Sequence, residues 1–585
     1  MTRSDTSPTR TIDCDVLVVG SGASGLACAV TAAEEGLDVV VAEKAAVFGG
    51  TSAWSGGWLW IPGNPLAVAA GIDEGPKPPR RYLAHLLGNR AGDPRLGKFL
   101  EAGPRMVAYF DRIGAVAWQD GNAVPDFYDH DGAVGGGRSV TAAPFDGRRL
   151  GPLIDRLRPP LEVLTVGGMA VASGADIGHF FRARRSPRSL WHVTKRFARH
   201  WRDLARHRRS MHLVGGNALV AHLLRAADAR GVRLWSEAPV TELLCDGDRV
   251  TGAVVSRPDG ATNVQARRGV VLAAGGFPHE AVRQAGLFPH VGTRPHRSAA
   301  PGSNTGDGLA LAESVGGAVD TTLAQPAAWA PVSLVPDGKG GTSAFPHLVD
   351  RAKPGIIAVA DDGRRFVNEA ESYHDFTAAL LARTREGADP AAWLIADARA
   401  QRAYGLGWAK PFPFPLGRAL ASGYLRRGRT LAELARACDL PASALEKTVA
   451  RFNAAARDGR DPDFGRGATP YNRVQGWADA GWPNPSLAPL DQAPFYAVRL
   501  VPGSLGTFAG LRTSPEGAVI GVGDRPVPGL FAIGNDAASV MGGHYPSGGI
   551  TLGPGMTFGF LVGRHLAGRG PGLDETLTHP TEETT

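Results

Sequence analysis

The sequence has few cysteines and no long apolar segment. Its four cysteines, Cys14, Cys28, Cys245 and Cys438, lie far apart among 585 residues and show no metal-ligand spacing. We therefore expect reduced thiols in the core of a cytoplasmic protein, and no metal site. No run of about 18 apolar residues occurs, and residues 1–10 lack the apolar region of a secretory signal, so neither a membrane span nor export is predicted.

The composition is that of a folded protein with more than one domain. Apolar residues make up 43% and charged residues 20% of the chain, which is ordinary and argues against extended disorder. A length of 585 residues exceeds the roughly 250–300 at which one hydrophobic core stops growing. We expect at least two domains, followed by a polar tail at residues 571–585.

The positive charge is concentrated in one insertion, at about residues 150–210. Within it, residues 181–209 contain eleven arginine and lysine residues and a single acid, Asp203, whereas the net charge of the whole chain is only +7. No nucleic-acid-binding surface is therefore predicted. Apolar side chains recur there at helical spacing, at Leu190, Val193, Phe197, Trp201 and Leu204. Such a helix either packs on the protein with a solvated basic face or contacts a membrane surface, and we expect peripheral membrane contact.

A strand, a helix and a second strand are predicted near the start of the chain. Residues 15–20 are an apolar run that ends in glycine, residues 24–35 suit a closely packed helix, and residues 38–42 form the second strand. The first turn holds Gly20, Gly22 and Gly25. This glycine spacing allows a tight turn, a close approach of the backbone to a pyrophosphate, and close packing of the helix on the sheet.

Glu43 completes this dinucleotide-binding pattern, because an acid at the end of the second strand can accept hydrogen bonds from an adenosine ribose. The segment that follows, residues 43–57, is rich in glycine and hydroxyl side chains. It resembles the fumarate reductase and ketosteroid dehydrogenase superfamily of flavoproteins. In that superfamily the segment contacts the diphosphate and lies against the flavin, so the resemblance implies FAD, held non-covalently, rather than NAD.

Two further segments resemble FAD motifs of the same superfamily. Residues 268–277 are similar to the strand that ends beside the cofactor, and residues 529–536 to the second FAD motif. A helix is expected after Pro554, with its N-terminal amides facing the flavin. The residues expected at the cofactor are Gly20, Gly22, Ala23, Ser24, Gly25, Glu43, Lys44, Gly50, Thr51, Ser52, Gly56, Gly57, Val240, Ala274, Gly275, Gly276, Asn535, Asp536, Gly549, Thr551 and Leu552.

The distribution of these motifs predicts an α/β fold with a discontinuous cofactor domain. We expect a Rossmann-type FAD-binding domain at residues 1–290 and 495–570, and an inserted α+β catalytic domain at residues 291–494.

Within the predicted catalytic domain, residues 361–374 resemble the substrate-site segment of the superfamily. Four positions after Glu369, the fumarate reductase branch has an arginine that protonates the substrate, whereas this sequence has Tyr373. A tyrosine can take or give a proton but cannot act as a permanent cation for a dicarboxylate. Reduction of fumarate is therefore not expected.

Residues 542–551 resemble the ketosteroid dehydrogenase branch, which carries a tyrosine and a glycine four residues apart. Tyr545 and Gly549 match this pair, and the hydroxyl and the backbone amide can both donate to a ketone oxygen. A third tyrosine of the family assists the base, and between Phe127 and Tyr128 we choose Tyr128. Ser547 leaves 1,2- and 4,5-dehydrogenation both open, and it could equally be a turn residue that caps a backbone amide.

The resemblance implies a dehydrogenase that desaturates a cyclic ketone next to its carbonyl, with a 3-ketosteroid as the favoured substrate. Tyr373 would remove the α-proton, and FAD would pass its electrons to a quinone, a dye-like acceptor or oxygen. No haem or iron–sulfur ligand pattern is present. The alternatives are a smaller cyclic ketone such as a cyclohexanone, an ene-reductase, and a non-catalytic flavin-binding protein.

Overall fold

The structure is a computed structural model that describes residues 10–172, 174–292, 295–385 and 387–569. The predicted tail at residues 571–585 lies outside this range. The strands of the described residues, in chain order, are β1 Arg10–Val19, β2 Val39–Ala42, β3 Trp58–Trp60, β4 Trp118–Asp120, β5 Ser139–Ala142, β6 Phe145–Asp146, β7 His212–Leu213, β8 Arg233–Trp235, β9 Val240–Asp246, β10 Arg249–Arg257, β11 Gly260–Leu272, β12 Arg297–Ser298, β13 Val319–Asp320, β14 Ala327–Pro336, β15 Thr342–Pro346, β16 Ile356–Ala360, β17 Ala392–Ala396, β18 Leu425–Gly428, β19 Phe495–Thr507, β20 Gly510–Leu511, β21 Ala518–Ile520 and β22 Pro526–Ala532.

The α-helices are also numbered in chain order. They are α1 Ala23–Glu34, α2 Pro65–Ala69, α3 Lys77–Leu87, α4 Pro94–Arg112, α5 Ala175–Arg182, α6 Pro187–His207, α7 Gly215–Ala229, α8 Ala281–Leu287, α9 Asp307–Ser314, α10 Tyr373–Arg383, α11 Ala398–Tyr404, α12 Gly417–Ala421, α13 Leu431–Ala437, α14 Ala442–Ala456, α15 Pro470–Gln475 and α16 Leu552–Leu566.

The larger sheet joins segments from both ends of the chain. Its strand order is β21-β22-β11-β1-β2-β8, and β9 and β10 extend from β11 as antiparallel strands. Strand β1 pairs in parallel with β2 and β11, and β22 pairs in parallel with β11. Fully buried valines fill β1 and β2, as expected for central parallel strands covered on both faces.

Helices α1 and α16 pack closely against each other. A Cβ at Gly559 of α16 would lie 2.5 Å from the carbonyl oxygen of Ser24, and one at Gly563 would lie 2.9 Å from that of Cys28. Glycine at these positions therefore lets the two backbones approach. This packing brings the N-termini of the two helices to the carboxyl ends of β1 and β22.

The second large sheet has the order β15-β14-β19-β17-β16, and β12 and β18 also pair with β19. All of these pairs are antiparallel except that of β12 with β19. The chain is thus a mixed α/β protein. Strand β19 directly follows the predicted boundary at residue 494 and belongs to this second sheet. The position of that domain boundary stays a prediction.

The basic insertion forms a helical hairpin of α5 and α6. The helix expected from Leu190 is part of α6, but its apolar stripe is not fully buried: Leu190 is 55% and Trp201 65% exposed, and Val193 and Phe197 are only partly buried. The buried side chains of α6 are the polar residues Ser189, His200 and Asp203. No helix among the described residues is long and apolar enough to cross a membrane.

The cysteines are free, and three of them are buried as expected. Cys245 is exposed, so its assignment to the core is wrong. The reason is its place on β9, which pairs only with β10 and therefore forms an edge of the sheet.

Candidate active site

A cavity of about 2650 Å³ connects the predicted cofactor motifs with the predicted catalytic residues. Pockets for drug-sized ligands measure roughly 300–1,000 Å³, so this cavity has room for a dinucleotide and a second molecule. Most of the predicted cofactor residues lie in its wall: Gly20, Gly22, Ser24, Glu43, Lys44, Gly50, Thr51, Ser52, Gly56, Gly57, Val240, Ala274, Gly275, Asn535, Gly549, Thr551 and Leu552.

The glycine turn between β1 and α1 opens onto this cavity. Gly20 has a φ of 106°, and a Cβ there would lie 2.3 Å from the carbonyl oxygen of Ala273. A Cβ at Gly22 would meet only the Ser52 hydroxyl, at 3.5 Å. No side chain caps the N-terminus of α1, although the Ala23 N–H donates to Ser52. The end of α1 therefore presents the unpaired amides and the positive dipole that suit a diphosphate.

Glu43 lies at the end of β2 and is 7% exposed. Its carboxylate accepts hydrogen bonds from the N–H and hydroxyl of Ser21 and from the N–H of Ala45. These contacts fix its orientation, and lone pairs remain for ribose hydroxyls. Lys44 instead points to a neighbouring segment, where its ammonium lies 2.7 Å from Asp307.

The turn after β11 is held by Asp536. This carboxylate accepts from the N–H groups of Ala274 and Gly276, and burial raises its pKa to about 6. Asp536 and Gly276 are not among the described residues that line the cavity. Ala23 and Gly25 are not among them either. Asn535, next to Asp536, does line the cavity. The acid thus orients the turn, and its neighbours make the surface.

Helix α16 begins beside the cavity, as the sequence predicts for its N-terminal amides. It starts at Leu552, two residues before Pro554, and no side chain caps it. Thr551 and Leu552 both line the cavity.

Tyr373 and Tyr545 meet in the wall of the same cavity. Their rings form an edge-to-face pair with centroids 5.0 Å apart. Tyr373 is the first residue of α10, which Ser372 caps by accepting from the N–H of Asp375. Tyr545 lies in the loop between β22 and α16. Two segments that are distant in sequence therefore form one buried pair.

Burial raises the pKa of both phenols. The pKa of Tyr545 rises to about 12, and that of Tyr373 lies well above its usual value, where the neighbouring Tyr545 adds to the effect of burial. The charge of Arg351 acts in the opposite direction on Tyr373. At neutral pH both hydroxyls are thus protonated in the protein without its ligands, so each is a hydrogen-bond donor.

Gly549 also lines this cavity. Its φ is 102°, and a Cβ there would lie 2.6 Å from the carbonyl oxygen of Trp58. Its own carbonyl accepts from the N–H of Trp60. Among the described residues no acceptor is found for the Gly549 N–H, so this amide is available to a ligand oxygen.

Phe127, rather than Tyr128, contacts the pair of tyrosines. Its ring centroid lies 5.8 Å from that of Tyr373 and 5.8 Å from that of Tyr545. The Tyr128 hydroxyl donates to Asp375 instead, at 2.9 Å. Tyr128 is absent from the described cavity wall, so the structure does not join it to the other two tyrosines.

Ser547 is 1% exposed and is also absent from that wall. Its hydroxyl lies 3.5 Å from the carbonyl oxygen of Pro125, at the outer limit of a hydrogen bond. The preceding Pro546 is held more firmly, because its carbonyl accepts from Tyr82 and from the N–H of Phe127. This loop is fixed against the segment that carries Phe127.

Tyr471 is a residue of this site that the sequence did not indicate. It is the second residue of α15, is 2% exposed, and its ring lies 4.3 Å from that of Phe127. It also lines the cavity. Its neighbour Asn472 accepts from the side-chain amide of Asn368, which ties α15 to the segment before Tyr373.

A buried ion cluster supports the same segment. Arg365 pairs with Glu369 at 2.6 Å and with Asp461 at 2.9 Å, and Arg466 completes the cluster 3.1 Å from Glu369. The motif that the sequence singled out at these positions therefore holds the backbone that leads to Tyr373. The four charged residues of the cluster are not among the described residues that line the cavity.

Comparison with known proteins agrees with this geometry. The FAD binding domain family matches residues 15–552. The chain belongs to this family. The resemblance stated from the sequence is confirmed, and the cofactor is FAD. The N-terminal amides of α1, the fixed carboxylate of Glu43 and the size of the cavity fit such a group.

Two curated relatives extend the family assignment. The chain is 40% identical over 560 residues, 95% of this chain and 94% of the relative, to 4-oxocyclohex-2-ene-1-carboxylate 5-dehydrogenase of Sinomonas cyclohexanicum. It is 34% identical over 569 residues, 94% of this chain and 97% of the relative, to 3-oxosteroid 1-dehydrogenase of Mycolicibacterium smegmatis.

A solved structure of the family is also similar to the chain. The crystal structure of 3-ketosteroid delta1-dehydrogenase from Sterolibacterium denitrificans, in complex with 1,4-androstadiene-3,17-dione, matches with a TM-score of 0.87 and 35% identity. The match covers 95% of this chain and 100% of that chain. This member of the FAD binding domain family is thus an FAD-dependent dehydrogenase that acts on CH–CH bonds.

Proposed function

We propose that the chain desaturates a cyclic ketone at the carbon–carbon bond next to its carbonyl. The observation that carries this proposal is the meeting of Tyr373, Tyr545 and the free N–H of Gly549 at one cavity wall. This cavity also contains the dinucleotide motif. The unit of β1, α1 and β2 is proposed as Rossmann-type, in a discontinuous FAD-binding domain with an inserted catalytic domain.

Tyr545 and Gly549 are proposed to hold the ketone oxygen. Both present donors to the cavity, one a hydroxyl and one a backbone amide. Two donors aimed at one carbonyl oxygen stabilise the negative charge that develops when the neighbouring C–H loses its proton. The Gly549 amide is rigid because the adjacent carbonyl is fixed by Trp60, so little reorganisation is needed during the reaction.

Tyr373 is proposed to remove the α-proton. Its raised pKa means that the phenolate is scarce at neutral pH, and the buried charge of Arg351 partly offsets this effect. The Arg351 guanidinium donates to the carbonyl oxygens of His347 and Glu369, and it forms no carboxylate ion pair among the described residues. Its full charge is therefore available to stabilise a phenolate. Bound FAD supplies the acceptor for the β-hydrogen, as a hydride.

Tyr128 and Ser547 are proposed to act outside the cavity. The Tyr128 hydroxyl donates to Asp375 and can pass a proton to it. Ser547 belongs to the same loop as Tyr545, with its hydroxyl near the Pro125 carbonyl, and both 1,2- and 4,5-dehydrogenation are compatible with this position.

The relatives support two classes of substrate, a 3-ketosteroid and a smaller oxocyclohexane. Both present a ring ketone with an acidic neighbouring C–H. The direct test is anaerobic bleaching of bound FAD by a panel from cyclohexanones to 3-ketosteroids. Bleaching by saturated ketones supports a dehydrogenase, whereas oxidation of reduced enzyme by enones alone indicates an ene-reductase. No reaction with any ketone indicates a non-catalytic flavoprotein.

Peripheral membrane contact through residues 181–209 is also proposed. Trp191 and Trp201 of α6 are 70% and 65% exposed, and Leu190 lies near them in the helix. Exposed arginine and lysine side chains flank them, which suits an anionic lipid surface. The polar contacts of His200 with Gly167 and of Asp203 with Met211 hold the opposite face to the protein.

The cavity opens beside this surface, since Leu190, Phe412 and Phe414 are exposed and also line it. A lipid-soluble ketone and a quinone-like electron acceptor could both arrive there.

We expect co-sedimentation with anionic liposomes at low salt and release at high salt. Trp191→Ser with Trp201→Ser should reduce this binding and leave the FAD spectrum intact. Equal sedimentation of both proteins contradicts the proposal.

A further inference from the structure

A lysine is buried in the cavity wall without a carboxylate partner. Lys353 is 4% exposed, and its ammonium donates to the carbonyl oxygens of Gln475 and Gly476, at 2.6 and 2.8 Å. Among the described residues it forms no salt bridge. An ammonium has three N–H donors, so these two contacts leave one for a ligand.

Aromatic side chains lie beside this ammonium. Its nearest rings are those of Phe181 and Trp477, whose centroids lie 6.0 and 5.9 Å away, and both of these residues line the cavity. A buried, unpaired charge is costly unless it is satisfied by an opposite charge. The site thus gains most from an anionic group on a molecule in the cavity.

The lysine is connected to the tyrosines through α15. Tyr471 at the start of this helix stacks on Phe127, which contacts Tyr373 and Tyr545. Gln475 ends the same helix, four residues or about 6 Å further along its axis. The ammonium is therefore held at the end of α15, and Phe127, which contacts both tyrosines, packs against the start of the same helix. The lysine and the two tyrosines line one cavity.

We propose that Lys353 binds a carboxylate carried by the cyclic ketone, so that the substrate is an oxocycloalkane carboxylate. This inference rests on the proposed function, because the ketone must lie at Tyr545 and Gly549. It also agrees with the substrate after which the Sinomonas cyclohexanicum relative is named, an oxocyclohexene carboxylate. The uncharged hydrocarbon rings of a steroid would leave the ammonium without a partner.

The first test compares 4-oxocyclohexanecarboxylate with its methyl ester in anaerobic FAD bleaching. We expect the wild-type enzyme to half-saturate with at least about tenfold less acid than ester, because a charge-assisted hydrogen bond to the carboxylate is lost in the ester. Lys353→Met should raise the half-saturating concentration of the acid by a similar factor. The limiting bleaching rate and the affinity for the ester should change little.

Lys410→Met is the matched control. Lys410 is also a lysine of the cavity wall, but its ammonium contacts the carbonyl oxygen of Val163 and lies over the ring of Phe345, and its described contacts do not include α15. This variant should retain the preference for the acid. Loss of that preference in Lys410→Met and not in Lys353→Met overturns the assignment of Lys353.

The pH dependence provides a second test that needs no variant. Burial lowers the pKa of Lys353 to about 7; Asp350 opposes this shift and Arg466 adds to it. The other charged groups nearby are Lys410 and the ion pair of Arg182 with Asp479. A bound carboxylate raises the lysine pKa, so affinity for the acid should fall between pH 7 and pH 10, whereas affinity for the ester should not.

The outcomes separate this inference from the proposed function. Equal affinity for acid and ester, or bleaching by 3-ketosteroids alone, overturns carboxylate recognition and leaves ketone dehydrogenation intact. Failure of every cyclic ketone to bleach the flavin overturns the proposed function itself. If Lys353→Met affects acid and ester alike while the FAD spectrum and thermal midpoint are unchanged, the lysine is structural and the inference is wrong.

Discussion

Replacing Tyr545 by phenylalanine should slow flavin reduction about 100- to 1,000-fold, the usual loss when one of the donors to a developing oxyanion is removed. This corresponds to about 2.7–4 kcal/mol of transition-state stabilisation. The hydroxyl is the only part of the side chain that changes. The ring contacts to Tyr373 at 5.0 Å and to Phe127 at 5.8 Å remain, so the fold should be preserved.

The assay is stopped-flow bleaching of the FAD absorbance under anaerobic conditions, at saturating ketone. The Gly549 amide remains in the variant, which is why a residual rate is expected rather than none. Tyr109→Phe is the matched control, because its hydroxyl is buried without a partner among the described residues and lies outside the cavity wall. A Tyr545→Phe enzyme that bleaches at the wild-type rate would refute the oxyanion assignment.

The rate of flavin reduction should rise with pH up to at least pH 10, because Tyr373 acts as a phenolate and its pKa is raised by burial; a rate independent of pH between 7 and 10 would exclude it as the base. Tyr373→Phe should lower that rate at least about 100-fold and abolish the pH dependence, and a variant that retains both contradicts this role. Tyr128→Phe should have a much smaller effect than Tyr373→Phe, since its hydroxyl contacts Asp375; an equal loss in stopped-flow bleaching would restore it to the reaction. Glu43→Ala should weaken FAD retention on gel filtration through loss of the ribose contact, and an unchanged FAD content would remove Glu43 from the cofactor site.

The cofactor motifs could be predicted because their geometry is local. A glycine turn between a strand and a helix is encoded within a few residues, and the structure places Gly20 and Gly22 as that pattern requires. Tyr373 and Tyr545 were found through resemblance. Their ring contact depends on the packing of α10 against the loop before α16, which no local pattern contains.

Other parts of the site could not be read from the sequence. Successive side chains of an extended segment point in opposite directions, so the choice between Phe127 and Tyr128 depended on an orientation that the sequence does not specify. Tyr471 had no signal beyond a helix start at Thr469 and Pro470. The apolar stripe of α6 was recognised, but periodicity alone cannot tell which face of a helix meets the protein, and here the buried residues are polar.

The contact of Asp536 with Ala274 and Gly276 has a consequence for synthesis of the protein. The glycine turn at Gly20 leaves the ribosome first, yet the carboxylate that orients the opposite wall follows only near residue 536. At about 5–20 residues per second, the interval between them is on the order of a minute. A nascent chain therefore waits with β1 and β2 made but the flavin site incomplete, and the vitamin-derived cofactor can be captured only after residue 536 has been added.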